Sequence, residues 1–477
     1  QGGKISMGYV YEDGKEYPRA GVYRRSSNGN VNNTVASALD GIGVLPIKSD
    51  WGPLNEVTIH EIGTSDVTMK NTYGTGGTMS VAEAYMDGGL DKLYLVRLGT
   101  GGKSGKIELK SNETKAVTLT LKYPGTHEFT VSVRDKLGAE STRELVIYDG
   151  AKEVETITFA SGAGEPQALE KAVKDSNYIS AKAEDGVTDA ITDVSQQPFE
   201  GGENPTVTTA DYSTAFEAFE PYYYNTIALD TVDADVQALL IEYINTSFKD
   251  GNLAIAVIGD KGSLDINKRM ENASKIDNYP IVYFASDFIN SDGETVSGPE
   301  AIAKAAGVIA ATPSSKSIVR TEMPGAAKLT ERLKNSQYEN AVRNGLLLLS
   351  VNSDGKVVFD SGVNTLINPD EEKQDNGWKK IKRAKVRHET FYRLDCEMDK
   401  LIGKVNGTKD GIANVIQRGQ VVLDTMADEG KLIDPTFKLD TNKGYGADYG
   451  YFVVNAVDVD TLERIFIHYK WKYSENS

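Results

Sequence analysis

Short apolar runs separated by helical patterns mark the second half of the chain. The runs at 226–229, 253–258 and 280–284 are rich in Val, Ile, Leu and Ala, which is typical of strands buried on both faces. A helical pattern occupies 234–249, between the first two runs. Strands that alternate with helices predict a largely parallel sheet covered on both faces, beginning near Thr214.

The stretch after this sheet pattern contains the clearest helix signals in the chain. Ser297 and Glu300 stand at capping-box spacing before a helix expected over 301–311. This helix holds six alanines together with Gly307, so we expect it to be buried and to approach its neighbours closely. Ser336 and Glu339 predict the start of a second helix.

A hairpin is expected directly after the second helix. Gly345 is a typical residue for a helix end. The leucines at 346–349 are too few to span a membrane and predict a buried strand. Asp354 and Gly355 then predict the turn that leads into the second strand of the hairpin.

Between 99 and 200 the pattern changes to short strands at regular spacing. We expect strands at 106–110, 116–121, 127–133, 143–148 and 154–159. Such spacing predicts a β-sandwich or a small barrel. A glycine-rich hinge is expected at 99–105, and 184–213 indicates a linker or long loop because it is rich in Asp, Gln, Gly, Pro and Thr.

The best alternating patterns lie at the two ends of the chain. Their apolar residues share one face: Ile5, Met7, Tyr9 and Tyr11 near the start, and Ile465, Ile467, Tyr469, Trp471 and Tyr473 in a strand expected over 465–473. The first pattern is compatible with a frayed tail and with an arm that adds a strand to a neighbour's sheet. We favour the arm, because an exposed apolar edge strand is an aggregation site unless a partner completes its sheet.

A basic run stands at the start of the last part of the chain. Six of nine residues are basic: Lys379, Lys380, Lys382, Arg383, Lys385 and Arg387. Helices are expected after it at 389–402 and 411–429. Two interpretations of the basic run remain: a solvated face, and a surface that meets an acidic protein partner. Nucleic-acid binding is disfavoured, because aromatic residues are not interleaved with it beyond Trp378.

Length and charge narrow the possible functions. The 477 residues exceed what one core holds, so three or four domains are expected. Of the net charge of −17, residues 111–370 carry 22 basic and 39 acidic side chains, which disfavours nucleic-acid binding there. No apolar run approaches the length of a membrane span, and no signal peptide is recognised at the start. The single cysteine, Cys396, favours an intracellular origin and a core role.

Catalytic chemistry is not indicated by the residues. None of the histidines is expected in the α/β region, where a Ser-His-Asp arrangement would need one: they are His60, His127, His388 and His468. Gly63 to Ser65 mimics a serine loop, but we expect 66–68 to continue as a strand rather than a helix. Gly102 and Lys103 lack the upstream glycine of a phosphate loop, since Arg97 stands in its place. We predict no catalytic, cofactor-binding or metal-binding residue, and no cofactor.

The order and spacing of several motifs resemble one known family. They are Gly21-Val22-Tyr23, the stretches 41–46 and 50–53, the strand at 93–98, Ala305-Ala306-Gly307, the stretches 310–313 and 344–349, Asn364-Thr365-Leu366, and the ending 457–465. Together they resemble the contractile tail sheath proteins of myophages and phage-tail-like bacteriocins, of the Gram-positive prophage type. The resemblance covers most of the chain and is weakest over 150–215.

The resemblance implies a mixed α/β multidomain fold in five parts. Residues 1–20 would be a strand-exchange arm, 21–98 an N-terminal sheath segment and 99–200 an inserted β-sandwich domain. Residues 201–369 would be a subtilisin-like α/β domain without a catalytic triad. Residues 370–477 would be an α+β C-terminal domain with tube-facing helices, the basic run among them, and a terminal arm.

The function implied is that of a structural subunit, not an enzyme. Many copies would form a helical sheath around an inner tail tube protein, with baseplate and tail terminator proteins as further partners and with neither nucleic acid nor membrane insertion. The sheath would belong to a virion tail or tail-like particle, be assembled in the host cytoplasm, and contract to drive the tube through an envelope. The alternatives are a degenerate or active α/β serine hydrolase and a β-sandwich surface adhesin.

Overall fold

The computed structural model describes five stretches of the chain: 9–10, 23–24, 40–63, 65–249 and 251–471. They form a mixed α/β protein with several sheets, as predicted. Near the N-terminus, strands β1 (Tyr9–Val10) and β2 (Tyr23–Arg24) pair in parallel. The predicted arm residues Ile5, Met7, Tyr11 and Tyr473 lie outside the described residues.

The segment from 40 to 98 supplies three strands and two helices. They are β3 (Ile42–Ile47), β4 (Val57–Glu61), α1 (Ser65–Tyr73), α2 (Met79–Asp87) and β5 (Lys92–Arg97). The expectation of a strand at 66–68 is wrong, because these residues lie in the first turns of α1. Met69 and Tyr73, four residues apart on one face of this helix, are fully buried, which stabilises the helix against the sheet.

The next segment forms two sheets around one core. Its elements are β6 (Lys106–Ser111), β7 (Thr114–Leu121), β8 (Phe129–Asp135), β9 (Thr142–Asp149), β10 (Lys152–Ala160), α3 (Glu165–Ala172), β11 (Ile179–Ala183) and β12 (Val194–Pro198). The sheets have the orders β10-β9-β8-β12 and β11-β7-β6. The five expected strands are confirmed. The linker expected over 184–213 contains β12, a partly exposed edge strand whose Ser, Gln and Pro residues show no apolar alternation.

The following segment alternates helices and strands. Its elements are α4 (Thr209–Phe219), β13 (Thr226–Ala228), α5 (Ala234–Lys249), β14 (Ile255–Gly259), α6 (Ile266–Ser274), β15 (Ile281–Phe284), β16 (Phe288–Asn290), β17 (Thr295–Val296), α7 (Pro299–Ala311), β18 (Ala326–Leu329), α8 (Asn335–Arg343), β19 (Leu346–Leu347), β20 (Leu349–Val351) and β21 (Val357–Phe359). Both capping boxes are wrong. Pro299 takes the first position of α7, so Gly298 is its N-cap, and α8 starts after Lys334.

One seven-stranded sheet joins two distant parts of the chain. Its order is β19-β15-β14-β13-β3-β5-β4, with neighbours parallel except for β4 against β5. Leu45 and Ile47 of β3 belong to a core with α2 and α7, whereas Val44 belongs to a core with α4 and α5. Helices therefore cover both faces, as predicted. Strands β3 and β5 lie inside this sheet, and β4 forms one of its edges.

The helix of small residues crosses α2 at short range. A Cβ atom on Gly307 would lie 2.4 Å from the Tyr85 carbonyl oxygen, and one on Gly88 would lie 2.5 Å from the Lys304 carbonyl oxygen. Real Cβ atoms do not approach so closely, so this crossing requires glycine within α7, at Gly307, and at the C-cap of α2, at Gly88. The predicted close approach and burial of this helix are confirmed.

The last described segment contains two helices and a hairpin. After a 3-10 turn (Asn376–Lys379) come α9 (Ile381–Asp399), α10 (Lys409–Ala427), β22 (Leu432–Leu439) and β23 (Phe452–Asp458). Helix α9 begins earlier than expected, because the basic run forms its first turns. The strand expected over 465–473 is not observed in the single chain: residues 465–471 have no regular structure. None of the helices in the described ranges combines the length and the hydropathy of a membrane span.

Candidate assembly site

The C-terminal helices and hairpin form a small unit with its own core. Its centre consists of Val386 and Leu394 of α9, Leu423 and Met426 of α10, and Phe437 of β22. Gly419 lets α10 rest on the Phe437 ring, since a Cβ atom there would lie 2.6 Å from the ring. The hairpin is thus covered on one face by α10.

The sheet of this hairpin is incomplete. Within the described residues β22 and β23 pair only with each other, and two-stranded sheets are marginal in water. The Gln420 side chain hydrogen-bonds Pro435 O (2.9 Å) and Phe437 N (2.8 Å) of β22. Strand β23 carries the exposed Val453 and Val454. Its outer edge therefore offers unpaired backbone groups beside apolar side chains, which is what an added strand requires.

Beyond the hairpin the described part of the chain ends in a segment rich in large apolar residues, which we call the arm (residues 464–471). Its large side chains are exposed to 72% at Ile465, 92% at Phe466, 63% at Ile467, 67% at Tyr469 and 90% at Trp471. Soluble proteins rarely expose so many large apolar residues in a row. The predicted arm residues Ile465, Ile467, Tyr469 and Trp471 are therefore free to be buried by another molecule.

The segment just before the arm, which we call the root (residues 458–463), is held against α9 by charge pairs. Lys380 Nζ lies 2.6 Å from Asp460 Oδ2 and 2.9 Å from Glu463 Oε2. The guanidinium groups of Arg383 and Arg387 both bind the Asp458 carboxylate, Arg387 Nε at 2.7 Å. Lys382 donates to the carbonyl oxygen of Val459.

At Asp458 the root is buried enough for its pairs to be more than surface contacts. The Asp458 side chain is only 4% exposed. Burial by itself would raise the pKa of the Asp458 carboxyl, but Arg383 and Arg387 outweigh it and hold the pKa below its usual range. Arg387 also binds both Asp375 oxygens at 3.0 Å and lies over the Trp378 ring at 4.3 Å. The root is thus tied to the beginning of α9.

This arrangement corrects the picture of the basic run as one open surface. Lys382 and Lys385 are buried, 4% and 8% exposed, and the structure does not present them to solvent. Lys380, Arg383 and Arg387 are engaged by the root. The prediction that the run faces a tube stays a prediction. The sequence does contain a signal for this pairing, which sequence analysis did not recognise. It is the group of acidic residues in the root that pair with the basic run: Asp458, Asp460 and Glu463.

Lys385 has a different role, at the end of α7. Its Nζ donates to the carbonyl oxygens of Ile309 (2.8 Å), Ala310 (3.2 Å) and Thr312, and it pairs with Asp40 at 2.9 Å. A cation at a helix C-terminus satisfies carbonyls that have no partner within the helix. Burial lowers the pKa of Lys385, although Asp40 opposes the shift. This contact joins α9 to the seven-stranded sheet unit.

A buried ionic network makes the second joint between these units. Both oxygens of Glu389 accept from Lys431 Nζ, at 2.8 and 2.7 Å, and Glu389 also accepts from Ser314 Oγ at 2.5 Å. Arg393 Nη2 binds Glu389 at 2.6 Å and Glu429 at 2.7 Å. Lys431 is 1% exposed. Within this network the contact that reaches the sheet unit is the hydrogen bond from Ser314 to Glu389, and the buried cations Lys431 and Arg393 hold the Glu389 carboxylate in place for it.

The hinge expected at 99–105 is a two-stranded connection. Backbone bridges pair Thr100 with Thr206, Lys103 with Glu203, and Lys106 with Glu200. At its base Arg97, fully buried, donates to the carbonyl oxygens of Ser49, Gly52 and Pro124. Burial lowers the pKa of Arg97 to about 10. The β-sandwich unit is thus attached by paired strands and a buried cation.

A histidine bridges the same two units. His127 Nδ1 lies 3.2 Å from Asp50 Oδ2, and His127 Nε2 lies 3.0 Å from Asp149 Oδ1. Burial opposes protonation of His127, but the Asp50 and Asp149 carboxylates outweigh it, so the pKa lies above its ordinary value of 6.5. The folded protein therefore favours the imidazolium form, with one carboxylate on each side.

We expect this junction to weaken as the pH rises. Because the pKa of His127 is raised by folding, its stabilisation is complete below about 6.5 and is lost as the pH passes through the higher folded value. The His127→Gln variant should lose this pH dependence. Amide exchange of β8 measured between about pH 6 and pH 9 tests it, with His468→Gln, an exposed histidine, as the control. Equal pH dependence in wild type and His127→Gln would contradict the assignment.

The described residues do not assemble a catalytic constellation. His60 lies on β4, so the expectation that the α/β region lacks histidine is wrong. Its Nε2 is 2.9 Å from Thr58 Oγ1, and burial lowers its pKa to about 4. Lys103 of the phosphate-loop mimic pairs with Glu203 at 2.5 Å. Burial raises the pKa of the half-buried Cys396 thiol, and no metal-binding group of three residues is found in the described ranges.

Comparison with known proteins agrees with the predicted family. Residues 206–365 match the family model described as the phage tail sheath protein central domain. The uncharacterised protein YqbK of Bacillus subtilis is 22% identical over 493 residues, which is 98% of this chain and all of that protein. The resemblance to tail sheath proteins inferred from the sequence is therefore confirmed, and with it a structural rather than an enzymatic role.

Solved structures show the same fold. The sheath tail protein from Listeria innocua superposes with a TM-score of 0.69 at 18% identity, covering 89% of this chain and 96% of that one. The helical sheath of the anti-feeding prophage in its contracted state superposes with a TM-score of 0.51 at 13% identity, covering 96% and 99%. Both likenesses extend over nearly the full length, so the fold of this chain is that of sheath proteins.

Proposed function

We propose that this chain, which has a phage tail sheath central domain and the fold of sheath proteins, polymerises into a contractile tail sheath. Copies of it stack helically around an inner tail tube protein, between baseplate and tail terminator proteins. The assembly forms in the host cytoplasm and becomes part of a phage tail or tail-like particle. On contraction it drives the tube through the envelope of a target cell.

The observation that carries this proposal is the exposed arm. Residues 464–471 place five large apolar side chains in solvent, and the preceding root is firmly held. A single chain in water gains nothing from such a segment. Burying each of these side chains on a partner would contribute about 1.5–3 kcal/mol, so a polymer is the state in which the arm is stable.

The acceptor is the incomplete hairpin sheet of a second copy. We propose that the arm adds as a strand to the outer edge of β23, where Val453 and Val454 are exposed. Main-chain hydrogen bonds of this kind supply affinity, and alternate side chains supply register. The alternation in the sequence would then place four arm side chains on one face of the enlarged sheet: Ile465, Ile467, Tyr469 and Trp471.

The N-terminal arm is proposed to pair in the same manner. Residues 1–20 would be this arm. Its predicted residues Ile5, Met7 and Tyr11 lie outside the described part, while Tyr9 lies in β1, paired with β2 of its own chain. The pairing of Tyr9 with Tyr23 would determine the point at which the arm separates from the rest of its own subunit.

We propose three further domains in addition to the N-terminal arm. The parallel sheet with helices on both faces supports a subtilisin-like sheath domain, built from 201–369 together with strands of the segment 21–98. The two sheets within 99–200 support an inserted β-sandwich domain, and 370–477 would be the C-terminal sheath domain. Contraction would move these units as rigid bodies while the arms stay paired. No nucleotide is required if assembly stores the free energy.

The proposal is tested by assembling the full chain in vitro. Purified protein is concentrated alone and with the tube protein isolated from the same particle, then examined by sedimentation and negative-stain electron microscopy. We expect hollow helical tubes whose length follows the inner tube when it is present. A chain that remains monomeric under both conditions would overturn the proposal. A serine hydrolase is not favoured, because His60, on the sheet, contacts Thr58 and not a carboxylate.

A further inference from the structure

The polarity of the hairpin shows where tension from the arm would act. Strand β23 pairs antiparallel with β22, from Phe452 opposite Leu439 to Asp458 opposite Leu432. The arm leaves from the Asp458 end, which is the open end of the hairpin. A pull on the arm at this end would break the ladder one pair at a time, and a two-stranded sheet resists such peeling poorly.

The root contacts begin at Asp458, the last pair of this ladder, and continue towards the arm. Asp458, Asp460 and Glu463 are each paired with a basic residue of the stretch 380–387. Val459 adds two backbone contacts, donating to Lys431 O at 2.9 Å and accepting from Lys382. Apart from the contact with Lys431, all of these root contacts are made by residues of α9 or by Lys380, the N-cap residue of α9.

Helix α9 is well placed to receive the force. It has 19 residues and is joined to the sheet unit through Lys385 at the end of α7 and through Glu389 at Ser314. Tension that enters α9 is therefore passed to the large sheet unit, and the small hairpin is spared. The burial of Asp458 keeps its pairs with Arg383 and Arg387 from being screened by salt, whereas the two pairs of Lys380 are partly exposed.

We infer that Lys380, Lys382, Arg383 and Arg387 are positioning residues that clamp the root of the C-terminal arm to α9, so that a neighbouring copy pulls on the sheet unit rather than on β23. The inference rests on the proposed function, since the pulling partner is a second copy of this chain. It assigns four of the six residues of the basic run to this chain's own acidic root. The raised pKa of Lys380, where Asp460 and Glu463 outweigh burial, is consistent with the clamp.

The test uses a matched pair of charge reversals in the full chain. Lys380→Glu should break the contacts with Asp460 and Glu463, whereas Lys379→Glu, its neighbour in the run, makes the same change of charge away from the root. In unassembled protein, amide exchange of residues 459–463 should become about five-fold faster in Lys380→Glu only, the size expected for a partly exposed ion-pair network. The variant that also carries Asp460→Lys and Glu463→Lys should restore slow exchange.

Assembled material gives the second readout. Sheaths of Lys380→Glu should release more protein into the supernatant under shear than those of wild type, Lys379→Glu and the charge-swapped variant. Unchanged exchange in the root, or equal release from all sheaths, would overturn the clamp. Failure of wild type to form sheaths would instead overturn the proposed function, and the exchange rates of the unassembled protein would still measure the root contacts directly.

Discussion

Replacing Lys431 by methionine is expected to destabilise the C-terminal unit by about 3–5 kcal/mol. Lys431 is 1% exposed and contacts both oxygens of Glu389. Its removal leaves the Glu389 carboxylate buried with less positive charge around it, and an uncompensated buried charge is among the costliest defects in a fold. Arg393 remains beside Glu389 and limits the loss.

Native-state amide exchange of α9 measures this loss without requiring the whole chain to unfold in one step. Lys438→Met is the matched control, because Lys438 is exposed on β22. The double variant Lys431→Met with Glu389→Gln should recover part of the stability, since the unpaired charge is gone. If Lys431→Met and Lys438→Met differ by less than about 0.5 kcal/mol, the buried charges of this network do not stabilise the C-terminal unit.

The same network has a predictable acid sensitivity. Burial would raise the pKa of Glu389, but Lys431, Ser314 and Arg393 outweigh it and lower the pKa. A carboxyl with a lowered folded pKa stabilises the protein above its unfolded value, and this stability is lost as the pH falls through the folded value. Acid should therefore loosen α9 in wild type more than in the double variant.

Ending the chain at Glu463 is expected to abolish polymerisation and to leave a folded monomer. The arm contributes nothing to any core of the chain, as its exposed side chains show, so the melting temperature should not change. Assembly, in contrast, would lose every large apolar contact that the arm supplies, each worth about 1.5–3 kcal/mol. Sedimentation and electron microscopy measure the polymer, and circular dichroism measures the fold.

Single substitutions in the arm sharpen this prediction. If the arm pairs as a strand, Ile467→Asp should block assembly and His468→Asp should not, because neighbours along a strand face opposite sides. Leu137→Ser is a further control, since Leu137 is 99% exposed at a distant hairpin. Equal assembly by Ile467→Asp and His468→Asp, or tubes formed without the arm, would refute strand addition.

The sequence predicted elements that carry a local signal. The buried strands of the sheet are continuous apolar runs, and α7 is marked by its small residues, so both were found. Strand β12 was missed because an exposed edge strand needs no apolar alternation. Helix α1 was missed because its sequence carries only a weak helical pattern, although Met69 and Tyr73 are buried. In each case tertiary contacts, not local preference, decide the structure.

Pairings across long stretches of sequence were beyond prediction. The basic run was recognised, but its partners lie 71 to 83 residues further along the chain. Nothing in the local pattern distinguishes a basic run that meets another protein from one that holds its own chain. The joining of β3 and β5 to β13 was equally hidden, because the β-sandwich unit separates these strands in the sequence.

In strand addition as proposed here, the arm of one copy completes the sheet of another copy. A cryo-electron microscopy reconstruction of the assembled chain tests it directly. We expect continuous density from the root into a strand paired with the outer edge of β23 in an adjacent copy, with Trp471 buried there. Density showing residues 464–471 folded on their own unit, or left in solvent within an intact sheath, would contradict it.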